Sequence, residues 1–157
     1  MPGDDRLVEI YLQDHLAGSV AALELVSRSA RSNDSNELGA FLRGLHTEIG
    51  RDKAALLDVM GALGAAPSRV KNGVAWAAEK AGRLKLNGRL LRYSPLSRLV
   101  ELELLEAGIV AKRSLWTNLV SLADPRLAGV NLPRLVERAE AQRAEVETWR
   151  RRAAAAL

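Results

Sequence analysis

In four stretches of this chain, apolar side chains return at alternating intervals of three and four residues. The first stripe is Val8, Leu12, His15, Ser19, Leu23, Val26 and Ala30. The second is Leu38, Phe41, Leu45, Ile49, Asp52, Leu56, Val59 and Leu63, and the fourth is Leu135, Ala139, Gln142, Val146, Trp149 and Ala153. Such a spacing draws one stripe along a helix, and helices striped this way pack nearly parallel to one another. The third stretch carries Leu102, Leu105, Ile109, Trp116 and Val120 on one face and Val100, Leu104, Ala111, Leu115 and Leu122 on a second. The expectation is one all-α domain over residues 1–157, a four-helix bundle with helices at about 4–31, 35–63, 95–123 and 132–156.

Punctuation residues set the order of the helices. Asp4 or Asp5 is placed to cap the first, and Asp34 and Glu37 have capping-box spacing for the second. Gly64, with Pro67 just beyond, ends the second helix. Ser94-Pro95 opens the third, "DPRLAGVN" is a turn, and Asn131 with Pro133 opens the fourth. Short turns at 31–36 and 124–131 make each helix pair an antiparallel hairpin. The 64–94 connection is long enough to cross a helix length, roughly 35–45 Å. Within it, a weaker helical stretch at about 70–83 precedes "AGRLKLNGRLLRYSP". Its Asn87-Gly88 is a β-hairpin signal, but a lone two-stranded hairpin is marginal in a chain with no other strand pattern. It reads instead as the end of a short helix and a turn. The second face of helix three must be covered by this connection or by another subunit.

Composition narrows the chemistry. The chain has no cysteine, which excludes disulfides, thiolate metal sites and thiol catalysis. The net charge of +4 and pI of 9.8 do not by themselves make a nucleic-acid binder. The polar "MPGDDRLVEIYLQDH" does not read as a signal peptide, and no run reaches the length of a membrane span, so a cytoplasmic location is expected. No Gly-x-Ser-x-Gly elbow or phosphate-binding loop is present.

Mid-helix polar residues interrupt the stripes: His15, Asp52 and Gln142, with Glu106 and Arg113 on helix three. Antiparallel packing brings them to one level, so His15, Asp52, Glu106, Arg113 and Gln142 are candidates for a buried polar layer. One reading makes His15, Asp52 and Glu106 ligands of a single metal ion; the other makes the layer a self-neutralised structural feature. A di-iron centre needs two Glu-x-x-His pairs. Here Leu12 and Arg43 stand three residues before the two histidines, His15 and His46. The carboxylates Glu101, Glu103 and Glu106 and the charged face of 134–152 read as solvated helix surface, and Arg150, Arg151 and Arg152 complement a helix C-terminus. An anion-binding surface is the other candidate. Lys71, Lys80, Arg83, Lys85, Arg89, Arg92 and Arg98 fall within 28 residues against one acid, Glu79. These side chains suit phosphates, acidic protein surfaces or anionic lipid, or they solvate a connection whose leucines turn inward.

The stretches "YLQDHLAGSVAALEL", "AGRLKLNGRLLRYSPLSRLVELELLEAGIVAKRSLW" and "DPRL…L…RAEAQ…E" resemble an uncharacterised group of actinobacterial proteins of ferritin-like, four-helix type. The resemblance covers nearly the whole chain and is most specific over 81–116. It implies two antiparallel hairpins joined by a long crossover. It carries over no complete ligand set, since only Glu106 matches a helix-three ligand of the ferritin superfamily. The function expected is a non-enzymatic binding or structural module without a di-iron centre, self-associating through helix three or the crossover, and needing no cofactor. The alternatives are an iron- or manganese-binding oxidoreductase or storage protein with a reduced site, and an anion-binding module using Lys80 to Arg92.

Overall fold

The computed structural model describes residues 2–67 and 93–157, and among these the regular structure is helical throughout. Four helices, α1 (Pro2–Ser32), α2 (Glu37–Ala62), α3 (Pro95–Leu122) and α4 (Leu132–Ala154), form a bundle, with a 3-10 turn at Pro125–Leu127. The expected short helix at 70–83 and the segment 81–92 lie outside the described residues.

Helix α1 begins at Pro2, so Asp4 and Asp5 lie inside its first turn and neither is its cap; local chemistry explains the boundaries that follow. Asn36, not Asp34, caps α2: its side chain accepts from the Gly39 amide at 3.2 Å. Asp34 points outward and pairs with Arg43 at 2.8 Å. Two residues later in the turn than Asp34, Asn36 has the extended backbone that a cap requires, and Asp34 does not have that role. At the other end of α2, Gly64 adopts φ +71. The Gly64 amide then reaches Gly61 O and the Ala65 amide reaches Met60 O, a Schellman ending that satisfies two free carbonyls. Ser94 caps α3 reciprocally with Ser97, and Pro95 follows at the first helical position. Asn131 caps α4 by accepting from Arg134 N at 3.2 Å.

Cross-helix bonds give the directions. The turns make α1 antiparallel to α2 and α3 antiparallel to α4. Ser29 meets Glu101 near one end of the α1–α3 seam, and Tyr11 meets Asn118 near the other, so these helices are also antiparallel. Phe41 stacks on Trp149 while Asp52 reaches Arg138, so α2 runs against α4. It follows that α2 and α3 run parallel. The chain leaves α2 at one end of the bundle, where Arg126 Nη1 donates to Leu63 O, and re-enters at the other end, where Asn33 donates to Tyr93.

The predicted stripes form the core, with one exchange on α3. Leu102, Leu105, Ile109 and Trp116 are buried as expected, but Val120 is exposed and Leu115 is buried. The buried set on α3 includes Leu119 in place of Val120 because the three-four alternation continues from Trp116 to Leu119. The core has two apolar halves. One contains Leu12, Leu16, Leu56, Val59, Trp116 and Leu135, and the other Val26, Leu42, Ile49, Leu102, Ile109 and Val146.

Gly39 marks the tightest approach among the described glycines. A Cβ there would stand 2.1 Å from the Asn33 carbonyl oxygen, whereas one on Gly44 meets nothing within 4 Å. Opposite outcomes are expected in urea unfolding. Gly39→Ala loses about 2–3 kcal/mol through backbone displacement, and Gly44→Ala gains about 0.5–1 kcal/mol by removing a flexible residue from a helix interior.

Candidate functional site

Asp52 occupies a core position in the α2 stripe, between Ile49 and Leu56, and its side chain is only 3% exposed. A carboxylate there must be paired or neutral, since charge in the apolar interior is costly. It is paired on both oxygens. Arg138 Nε of α4 donates to Oδ1 at 2.6 Å, and its Nη2 also pairs with that oxygen. Lys112 Nζ of α3 donates to Oδ2 at 2.5 Å, joined there by Gln142 Nε2 at 3.1 Å.

Gln142 completes the layer. Its amide nitrogen also donates to Glu48 Oε2 at 2.9 Å, and its carbonyl oxygen accepts from Lys112. Both amide hydrogens and the oxygen are therefore used. Two acids, Asp52 and Glu48, balance two cations, Lys112 and Arg138. The layer lies between the two apolar halves of the core and joins α2, α3 and α4. A cavity of about 170 Å³ opens beside it, lined by Phe41, Gly44, Leu45, Glu48, Gln142 and Glu145 among others. Burial pushes the Lys112 ammonium below its ordinary pKa, and the charge of Asp52 partly opposes that shift.

Of the five residues expected in the layer, Asp52 and Gln142 meet, and the other three lie elsewhere. His15 is half-buried with its ring edge-on to Tyr11, centroids 4.7 Å apart. Burial lowers its pKa below 6.5, against the raising effect of Asp14. Glu106 faces α4 on the surface, 3.2 Å from Arg150 and 3.9 Å from Arg143. Arg113 is 47% exposed and pairs with Glu140 at 2.9 Å. Glu106 and Arg113 thus belong to an alternating ion-pair ladder along the α3–α4 surface, which continues through Glu147 to Arg151. They miss the core because each lies next to the buried Leu105 or Lys112 in the helix, about 100° further around it. His15, Asp52 and Glu106 are consequently not brought together. Among the described residues, no three His, Asp or Glu side chains gather in a way that could hold a metal ion.

Lys112, Arg138 and Glu48 are members of the layer beyond the five that the helix spacing marks. Lys112 had a readable signal, because Leu102, Leu105, Ile109, Lys112, Trp116 and Leu119 keep the three-four alternation unbroken. Arg138 and Glu48 flank their stripes and enter only through long side chains.

A second polar cluster, also absent from the sequence reading, ties the start of α3 to the end of α1. Glu101 accepts from Ser29 Oγ at 2.6 Å and from Tyr93 OH at 3.0 Å, with Arg28 at 3.4 Å. Asn33, 1% exposed, donates to Ser29 O and to Tyr93 OH, and accepts from Arg98 Nε at 2.9 Å. Burial is the largest cause of a raised Tyr93 pKa. Arg98, one of the seven clustered basic residues, is thereby engaged internally. The anion-binding candidates Lys80, Arg83, Lys85, Arg89 and Arg92, and Lys71 with them, lie outside the described residues.

No known protein family, curated protein or solved structure matches the chain.

Removing Asp52 strands two cations. Asp52→Ala is expected to cost about 3–5 kcal/mol in urea unfolding, while replacing the buried set together, Asp52→Leu, Lys112→Met, Arg138→Met and Gln142→Leu, is expected to be near neutral or stabilising. A pH dependence follows for Lys112. Its pKa is lower folded than unfolded, so below the ordinary 10.5 and down through the lowered value the unfolded state binds more protons. Stability contributed by this residue therefore rises with pH across that window. Unfolding free energies measured from neutral pH to about 10.5 should climb in the parent chain relative to Lys112→Met.

Proposed function

We propose that this chain is a ferritin-like helical module that acts by binding and assembly and not by chemistry at a di-iron centre. The topology supports the first part. Two antiparallel hairpins with parallel inner helices need a single long connection, the arrangement of ferritin-like bundles. Residues 68–92 are the crossover in this reading.

The observation that carries the second part is the occupancy of Asp52. Ferritin-like metal centres are built at mid-bundle from inward-pointing Glu and Glu-x-x-His side chains. Here the buried acid at that level has Lys112, Arg138 and Gln142 on its two oxygens. Two fixed cations repel a metal ion where a metal site would need ligands, so these residues do not fit a metal centre.

Association is the remaining role, and α3 supports it. From Ala107 to Leu122 its only ionisable residues are Lys112, in the layer, and Arg113, in the ladder. Val110 and Val120 are exposed, at 40% and 43%. Three neighbouring hydroxyls, on Ser114, Thr117 and Ser121, donate back to helix carbonyls and leave the surface less polar.

Two measurements on protein purified without chelator test this. Elemental analysis should find less than about a tenth of an equivalent of iron, manganese or zinc, with no thermal shift on adding metal. Light scattering should find an oligomer that Val110→Asp with Val120→Asp disperses. Stoichiometric metal overturns the core reading, and a monomer at high concentration overturns the association.

A further inference from the structure

Along α3 and α4 the guanidinium groups are matched to carboxylates. Arg113 and Arg143 pair with Glu140, Arg150 pairs with Glu106 and Glu147, and Arg151 pairs with Glu147. The α1–α2 hairpin is different. Near its turn a cavity of about 180 Å³ opens, lined by Ser27, Ala30 and Arg31 of α1, Asp34 of the turn, and Arg43 and His46 of α2. Three basic side chains, Arg31, Arg43 and His46, therefore border this space against a single acid, Asp34. The local sequence accounts for the gathering. Ser27 and Arg31 stand four residues apart on α1, and Arg43 and His46 three apart on α2, so each pair shares a helix face. Ala30, 6% exposed, is the small residue between the two walls.

Arg31 gives Nη1 to Ser27 Oγ at 2.8 Å, and Arg43 gives Nη1 to Asp34 Oδ1 at 2.8 Å. A guanidinium carries a planar fork of several N–H donors, so among the described residues each arginine keeps an edge for a further acceptor. Asp34 competes weakly for Arg43. Its side chain is 81% exposed and that of Arg43 is 52% exposed, so solvent screens the pair. Ser27 Oγ accepts from Arg31, which leaves its O–H to donate, and the His46 ring adds an N–H. Cations gathered on one space repel one another unless an anion joins them. A phosphate group fits this donor set, because its oxygens take guanidinium forks two bonds at a time. The space also suits a polyatomic anion, since one water takes only about 30 Å³ of liquid volume.

We propose that the α1–α2 cavity is a binding site for a phosphate group, held by Arg31 and Arg43 with Ser27 and His46 beside them. On binding, Arg43 exchanges Asp34 for a phosphate oxygen, and the Asp34 carboxylate turns to solvent. Free phosphate and a small phosphate monoester present the same oxygens to the site. The site uses no residue of α3, so it stands independently of the association assigned to that helix.

The full chain is titrated with inorganic phosphate and, separately, with glycerol phosphate, at constant pH and against sodium chloride of matched ionic strength. Calorimetry is expected to show saturable binding with a dissociation constant below about 1 mM for at least one of them. The tighter of the two identifies the source. Proton NMR localises the event, because the chain has two histidines: the His46 ring signals are expected to shift while those of His15 stay. Arg31→Gln and Arg43→Gln are each expected to weaken binding about tenfold. Arg134→Gln removes the same charge toward the opposite end of the bundle and is expected to change binding by less than about twofold. Asp34→Asn is expected to strengthen binding about threefold by removing the competing carboxylate. All four side chains are exposed, and circular dichroism melting confirms that each variant keeps the bundle. The proposal is overturned if neither titrant exceeds the chloride response, or if Arg134→Gln weakens binding as much as Arg31→Gln does. It is equally overturned if Asp34→Asn weakens binding, or if the His15 signals move and those of His46 do not.

Discussion

One buried carboxylate constrains this bundle more than any other group. Asp52 stands in a stripe that otherwise holds leucine, isoleucine and valine, and an unpaired charge at that depth would destabilise the fold by several kcal/mol. Lys112 and Arg138 answer it from two different helices, and Gln142 uses its remaining capacity on both Asp52 and Glu48. The layer ties three helices at one register, because a slip by one turn on any of them would separate a donor from its acceptor. It also divides the apolar core into two halves, each packed by its own leucines.

The ends of the bundle are held by different means. At the end where α1 turns into α2, Asn33, Ser29, Glu101, Tyr93 and Arg98 form a nearly closed hydrogen-bond set that fixes where the chain returns to start α3. At the opposite end Arg126 links Asp124, Asp5 and the Leu63 carbonyl. These exposed ion pairs contribute little stability each. Their value is positional: they set α2's last turn beside the α3–α4 turn, at the end of the bundle opposite Tyr93.

Much of this was legible in the chain itself, for reasons that differ by residue. Leu12, Ile49, Leu102 and Val146 could be placed because a three-four repeat maps onto one helix face whatever the partner is. Ser94-Pro95, Gly64 and Asn131 could be placed because capping depends on a few neighbouring atoms. Asp34 and Asn36 share the chemistry of a cap, and only the path of the turn chooses between them. Spacing alone places Glu106 and Arg113 toward the core, yet both face α4's surface row of glutamates and arginines. The charge of Lys112 masks a position that its spacing marks as facing the core.

The sequence by itself determined four helices, their faces, most of their ends and the need to pair Asp52, since these follow from periodicity, local capping and the cost of a buried charge. Only the tertiary structure decided which cations do the pairing, because lysine and arginine side chains reach across several ångströms and are chosen by the neighbouring helix. It likewise decided that Glu101, and not Glu106, is the second buried acid. That outcome depends on which flank of α3 meets α1, a relation between segments about 70 residues apart that no local pattern encodes.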